Sequence, residues 1–213
     1  MEQWRELLVI LLVIGDLALY GMSRLVPCIR IVAFQGVVLG FLTLFAAGGH
    51  LTLHMALLAL ASMAVKGLVF PWLLLRTLRG TEVRREIDPF VGYNTSIFAG
   101  LVLLGVSLWL GRILPAAPDT PAVAVPAAML TMFTGLFITI TRRSALAQVL
   151  GYLTFENGIY AFGVMSVGRV PFLVELGVLL DVFVAVFVMG IALRHINRAF
   201  DHLNADSLDS LKG

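Results

Sequence analysis

RRSALAQVLGYLTFENGIYAFGVMSVGRVPFLVELGVLLDVFVAVFVMGIALRH, residues 142–195, is the stretch whose reading decides the fold. After the pair Arg142-Arg143 the chain stays apolar for about one membrane thickness, roughly 20 residues. Glu156 and Asn157 lie inside that run. The break Gly168-Arg169-Val170-Pro171 ends it, and a second apolar run follows, carrying Glu175 and Asp181. Each run therefore holds a carboxylate near its middle. A charged carboxylate at the centre of a bilayer costs at least ~2.5 kcal/mol. Residues kept at that cost belong by default to proton or ion pathways.

The rest of the chain continues the pattern. Of 213 residues, 60% are hydrophobic and 13% charged, and the mean hydropathy is +0.97. Soluble domains carry about 25% charged residues. The composition predicts an all-α, polytopic integral membrane bundle forming one membrane domain over residues 1–213, with the lipid bilayer as its solvent. Seven apolar runs are long enough to span: roughly 4–23, 28–47, 53–75, 93–113, 121–141, 145–167 and 171–193. The first contains Asp16, follows no basic n-region and has no A-x-A-like end, so it reads as an uncleaved span. The net charge of +2 gives no reason to invoke nucleic acid, because the basic residues belong to loops.

Those loops are unequal. The N-terminus and the even-numbered connections hold Arg5, Arg112 and Arg169. The opposite set holds Arg24, Arg30, Arg76, Arg79, Arg84, Arg85, Arg142, Arg143, Arg194, Arg198 and Lys212. Positive charge stays on the cytoplasmic side. The expected orientation is N-terminus outside and C-terminus cytoplasmic.

The remaining polar residues within spans are few. Asp16 lies in Ile14-Gly15-Asp16-Leu17 and reads either as a helix-capping or Arg-pairing group or as part of a path. Gln35 precedes the small-residue pattern Gly36-x-x-x-Gly40, which suits close helix packing. Arg30, near the cytoplasmic end of its span, is expected to snorkel. Lys66, in Val65-Lys66-Gly67, stands ten residues from Arg76, roughly 15 Å and beyond a lysine's snorkelling reach. It reads as a structural ion pair, with Asp16 one candidate partner, or as a proton carrier. Pro71 is expected to kink the same helix. In the sixth span Gln148, Tyr152, Glu156 and Tyr160 recur every four residues and share one face, which should look toward protein or water. It reads as a hydrogen-bond seam or, given the titratable Glu156, as a pathway. In the seventh, Glu175 and Asp181 are six residues apart and occupy different faces.

Depth ties four of these groups together. At ~1.5 Å per residue, Glu156 lies roughly 18 Å and Asp181 roughly 15 Å from the outer side. Asp16 and Lys66 fall in the middle third of their spans. Four ionisable groups at one level suggest a relay along the membrane plane. Its expected members are Glu156, Asp181 and Lys66, with Asp16, Glu175, Gln148, Tyr152 and Asn157 as secondary candidates.

Redox cofactors are not expected. Cys28 is the single cysteine, so an iron–sulfur cluster cannot be held. His50 and His54 share one face, and His195 and His202 belong to the other end of the bundle, so no pair can clasp one haem iron.

The same residues carry a resemblance. Gly151-Tyr152-Leu153-Thr154-Phe155-Glu156-Asn157-Gly158, Val174-Glu175, Asp181 with Ala185-Val186, and the ending Leu208-x-x-Leu211-Lys212-Gly213 resemble the component E membrane subunit of hydrogenase-4. That family is similar in turn to subunit K of respiratory complex I and to component C of the cation/proton antiporters that are built from several subunits. The subunit-K-like part is a three-helix module over residues 121–213. In that alignment Leu153 stands where subunit K has its first key Glu, Glu156 comes one helical turn later, and Asp181 matches the second Glu. The resemblance implies a non-catalytic subunit of a prokaryotic inner-membrane complex. Its partners would be antiporter-like membrane subunits and, indirectly, peripheral nickel–iron hydrogenase and iron–sulfur subunits. The alternatives are a cation/proton antiporter subunit without a redox partner, a structural membrane spacer, and a free-standing transporter, for which no substrate pocket is evident.

Overall fold

The computed structural model describes residues 2–46, 53–79, 91–114 and 120–166, with single positions at 182, 184, 186 and 190. Every regular element among them is helical. The helices are α1 (Glu2–Tyr20), α2 (Leu25–Ala46), α3 (Leu53–Ala64), α4 (Phe70–Arg79), α5 (Tyr93–Ile113), α6 (Ala124–Thr141) and α7 (Ala145–Ser166). Between α3 and α4 the backbone passes through a π turn, Val65–Val69, without leaving the helical state. Glu175, Asp181 and nearly all of the expected seventh run lie outside the described residues.

Among the described residues four helical stretches are long and apolar enough to cross a membrane: Leu25–Phe45, Ala59–Leu78, Tyr93–Ile113 and Ala124–Thr141. The direction in which they face points the same way. α5 buries Ser96, Gly100 and Ser107 and exposes Phe98, Leu101 and Trp109. Small residues turned inward and large apolar ones outward are the reverse of a water-soluble helix, and they suit a helix packed in lipid. The chain is a membrane protein. α1 and α7, of 19 and 22 residues, are comparable in length but carry more polar groups.

Short connections turn the chain back on itself between α1 and α2 and between α6 and α7. Arg142 is extended (φ −109°, ψ 134°) and ends α6, and the Gln148 N–H bonds the Ser144 carbonyl at the start of α7. So short a link returns the chain directly along itself. α6 and α7 then form the most extensive helix pair. A Cβ on Gly158 would meet the Met132 backbone nitrogen at 2.5 Å, so the two backbones touch where only hydrogen stands on the glycine. Gly36 and Gly40 do the same for α2 against α3 and the π turn, where added Cβ atoms would run into Lys66 and Met63.

The interior divides by level. One apolar cluster gathers near the Arg142 end, with Leu19, Leu25, Ile29, Phe70, Leu74, Leu146, Leu150 and Val184. A second gathers toward the other end, with Val9, Leu12, Leu39, Ala124, Ala128 and Ala161. Between them, on five elements, lie the buried polar residues Asp16, Gln35, Lys66, Thr131, Thr134, Glu156 and Asn157. A polar layer sandwiched between two apolar ones places these groups near half-depth of the bundle.

Candidate functional site: a buried polar layer

The π turn delivers Lys66. Five residues, Val65–Val69, form it, and the Phe70 N–H reaches back to the Val65 carbonyl. Pro71 lies just beyond, without an N–H and with a ring that crowds the carbonyl four residues back in a regular helix. The distortion expected at Pro71 is thus a widened turn rather than a break in the helix. Such turns concentrate at functional sites. Here it carries a lysine only 5% exposed. Room for the lysine comes from α2, because Gly36 presents no side chain to Lys66 Cβ.

Lys66 Nζ donates to Glu156 Oε1 at 2.9 Å and to Asn157 Oδ1 at 3.2 Å. It also stands 5.5 Å from the centroid of the Tyr160 ring. Glu156 is 2% exposed. The second carboxylate oxygen, Oε2, is buried and has no hydrogen-bond partner among the described residues. Taking an ion into a low-dielectric interior costs several kcal/mol even after relaxation, and removing one partner of such a pair costs about 3–5 kcal/mol. The two charges hold each other in place, and one acceptor lone-pair set is left over.

Asp16 forms a second centre in the layer. Gln35 Nε2 donates to its Oδ1 at 2.8 Å, and Thr131 Oγ1 lies 2.6 Å from its Oδ2. The same Thr131 hydroxyl lies 2.9 Å from the Ala127 carbonyl. A hydroxyl has one proton. Either Thr131 shares its proton between the two acceptors, or Asp16 is protonated and donates to Thr131, which then donates to Ala127. Two neighbouring pairs share this geometry. Thr134 bonds the Leu130 carbonyl and meets the Tyr20 hydroxyl, and Thr43 bonds the Leu39 carbonyl and meets the Tyr160 hydroxyl. In each, a threonine spends its proton on its own helix and offers its oxygen to a donor. Gln35 Oε1 is buried and has no hydrogen-bond partner among the described residues.

The expected site residues therefore separate. Lys66, Glu156 and Asn157 come together, and Lys66 pairs with Glu156 rather than Asp16. Asp16 lies in the layer on other partners. Tyr152 is half-buried against the apolar cluster near Arg142. Gln148 is exposed and donates to the Arg142 carbonyl at 3.2 Å, so it serves the α6–α7 link. Thr131 and Tyr20 join the layer although their place in the sequence does not mark them. Transmembrane threonines that bond their own helix are common, so only the carboxylate facing Thr131 sets it apart. Arg30 is exposed, as a snorkelling residue should be. Among the described residues no three His, Cys, Asp or Glu side chains are grouped to hold a metal ion.

These features define a membrane-embedded helical protein with ionisable residues buried at half-depth. No family model matches the chain, and no solved structure matches it. The chain belongs to the family of the uncharacterized protein Rv0085 of Mycobacterium tuberculosis, to which it is 32% identical over 205 residues, covering 94% of this chain and 92% of the relative. It is also 37% identical over 93 residues to hydrogenase-4 component E of Escherichia coli K12 and of Shigella flexneri. Those matches cover 44% of this chain and 42% of each relative, so the chain spans less than half the length of these two.

Proposed function

We propose that the chain is a non-catalytic membrane subunit of a complex-I-like hydrogenase of the hydrogenase-4 or formate hydrogenlyase type, an assembly of several subunits. Redox chemistry belongs to peripheral nickel–iron and iron–sulfur subunits, and this chain helps couple it to proton translocation beside antiporter-like membrane subunits. It crosses a prokaryotic inner membrane seven times, N-terminus outside. The hydrogenase part of the reading draws on the likeness to hydrogenase-4 component E. The relay part draws on one observation, the buried Lys66–Glu156 pair with Glu156 Oε2 unpartnered.

The pair suits proton transfer for a simple reason. A proton arriving at Oε2 neutralises Glu156 and removes that counter-charge from the buried Lys66 ammonium, which is costly. Lys66 then passes a proton on, and the ion pair is restored when Glu156 hands its own proton to Lys66. Asp181 is the proposed next acceptor, with Asp16 and Glu175 as secondary members. The subunit list of the purified complex tests the assignment. A nickel–iron large subunit supports it. A set of antiporter subunits without redox partners replaces it with the antiporter reading, and the chain purifying alone refutes both.

A further inference from the structure

Two small cavities lie end to end between the polar layer and the Arg142 end of the bundle. The inner one, with room for about one water molecule, runs between α2, α4 and α7 and finishes on Lys66 and Asn157. The outer one, equally small, finishes on Arg142 and has Cys28 in its wall. Val32 and Leu150 line both, so the two cavities meet at that apolar pair. Arg142 is only 4% exposed, and its Nε has no hydrogen-bond partner among the described residues. At the layer, Glu156 Oε2 is in the same condition, although Glu156 does not itself line the inner cavity and is joined to it through Lys66. A buried polar group without a protein partner calls for water or an ion, and water persists where such groups line a cavity.

We propose that these cavities form a water-access path for protons between the Arg142 end and the Lys66–Glu156 pair. Arg142 orders water in the outer cavity through its Nε–H. Val32 and Leu150 form the constriction. An apolar neck of this kind conducts when wet and closes when dry, which is how hydrophobic gates work. The path gives the in-plane relay an exchange route to the Arg142 side of the membrane. The inference rests on the relay reading above and adds the side and the route.

Cys28 supplies the test, because it is the chain's single cysteine and it touches the outer cavity alone. Vesicles of both orientations carrying the native complex are treated with a small charged methanethiosulfonate, and this chain is analysed by mass spectrometry. Labelling of Cys28 from the Arg142 side is expected. Absence of labelling in both orientations, with full labelling after unfolding, overturns the wet outer cavity. Filling the neck with Leu150→Trp, or with Val32→Phe where the first variant fails to assemble, is expected to abolish proton pumping. Cys28 labelling and hydrogenase activity with an artificial electron carrier should be retained. Parent-level pumping in either assembled neck variant overturns the route. Where Glu156→Gln also pumps like the parent, the relay fails as a whole; where Glu156→Gln is inactive, only the route fails.

Discussion

Lys66 Nζ and Glu156 Oε1 meet at 2.9 Å across 90 residues of sequence. The contact joins the π turn between α3 and α4 to the middle of α7. It gives the lysine a carboxylate partner among the described residues and gives substitutions at either residue a definite sign.

Lys66→Met leaves Glu156 to be buried alone or neutralised, at a cost of up to about 3–5 kcal/mol. The variant complex is expected to assemble poorly or melt early. Adding Glu156→Gln removes the stranded charge and should restore assembly but not pumping. Adding Asp16→Asn should restore nothing, because Asp16 bonds Gln35 and Thr131 instead. Rescue by Asp16→Asn would contradict the pairing. Lys66→Arg keeps the charge and cannot release its proton, so it should assemble and fail to pump.

Asp16 distinguishes a neutral acid from a charged one. Asn reproduces the shape of a protonated Asp, donating to Thr131 and accepting from Gln35. Asp16→Asn is expected to leave thermal stability nearly unchanged. Asp16→Ala orphans buried groups that cost ~1–3 kcal/mol each, so it should lower the melting temperature clearly. Equal losses from both variants would show that the carboxylate is ionised in the fold.

Gly36→Ala tests whether close approach positions the lysine. Its Cβ would fall 2.5 Å from Lys66 Cβ. Overpacking of this kind costs ~1–3 kcal/mol, and here the strain falls on the residue that holds Glu156. Reduced stability and reduced pumping should appear together. Gly105→Ala is the control, since a Cβ there meets nothing within 4 Å.

The proposed orientation rests on the loop charges. A reporter phosphatase fused after Lys212 should be inactive and one at Pro118 active, because the phosphatase folds only outside the cytoplasm. The reverse pattern would move the Arg142 end, and with it the proposed access path, to the outer face.

Much of the polar layer is legible in the sequence, because an ionisable group inside an apolar run has few structural excuses. Asp16, Lys66 and Glu156 stand out for that reason. Which of them pair does not follow from their spacing. Partnership depends on which helices become neighbours, and apolar helices of similar length offer little to decide that. Gly36 and Gly40 announce close packing, but not that the thing packed is Lys66. The π turn is almost silent, with Pro71 its one local sign, since an extra residue per turn changes no residue type. Arg142 and Arg143 look alike as loop charges. Only the fold buries the first and exposes the second.

The central claim is that Glu156 carries protons in the membrane plane. Proton pumping by the purified complex in sealed vesicles, measured beside hydrogenase activity with an artificial electron carrier, tests it most directly in Glu156→Gln. Glutamine keeps the size and accepts from Lys66 but cannot transfer a proton. Loss of a proton-transfer group slows such steps about 100-fold or more, so pumping should vanish in the fraction of complex that assembles, while its artificial-carrier activity persists. Parent-level pumping in an assembled Glu156→Gln complex would contradict the account and leave the Lys66–Glu156 contact a structural pair.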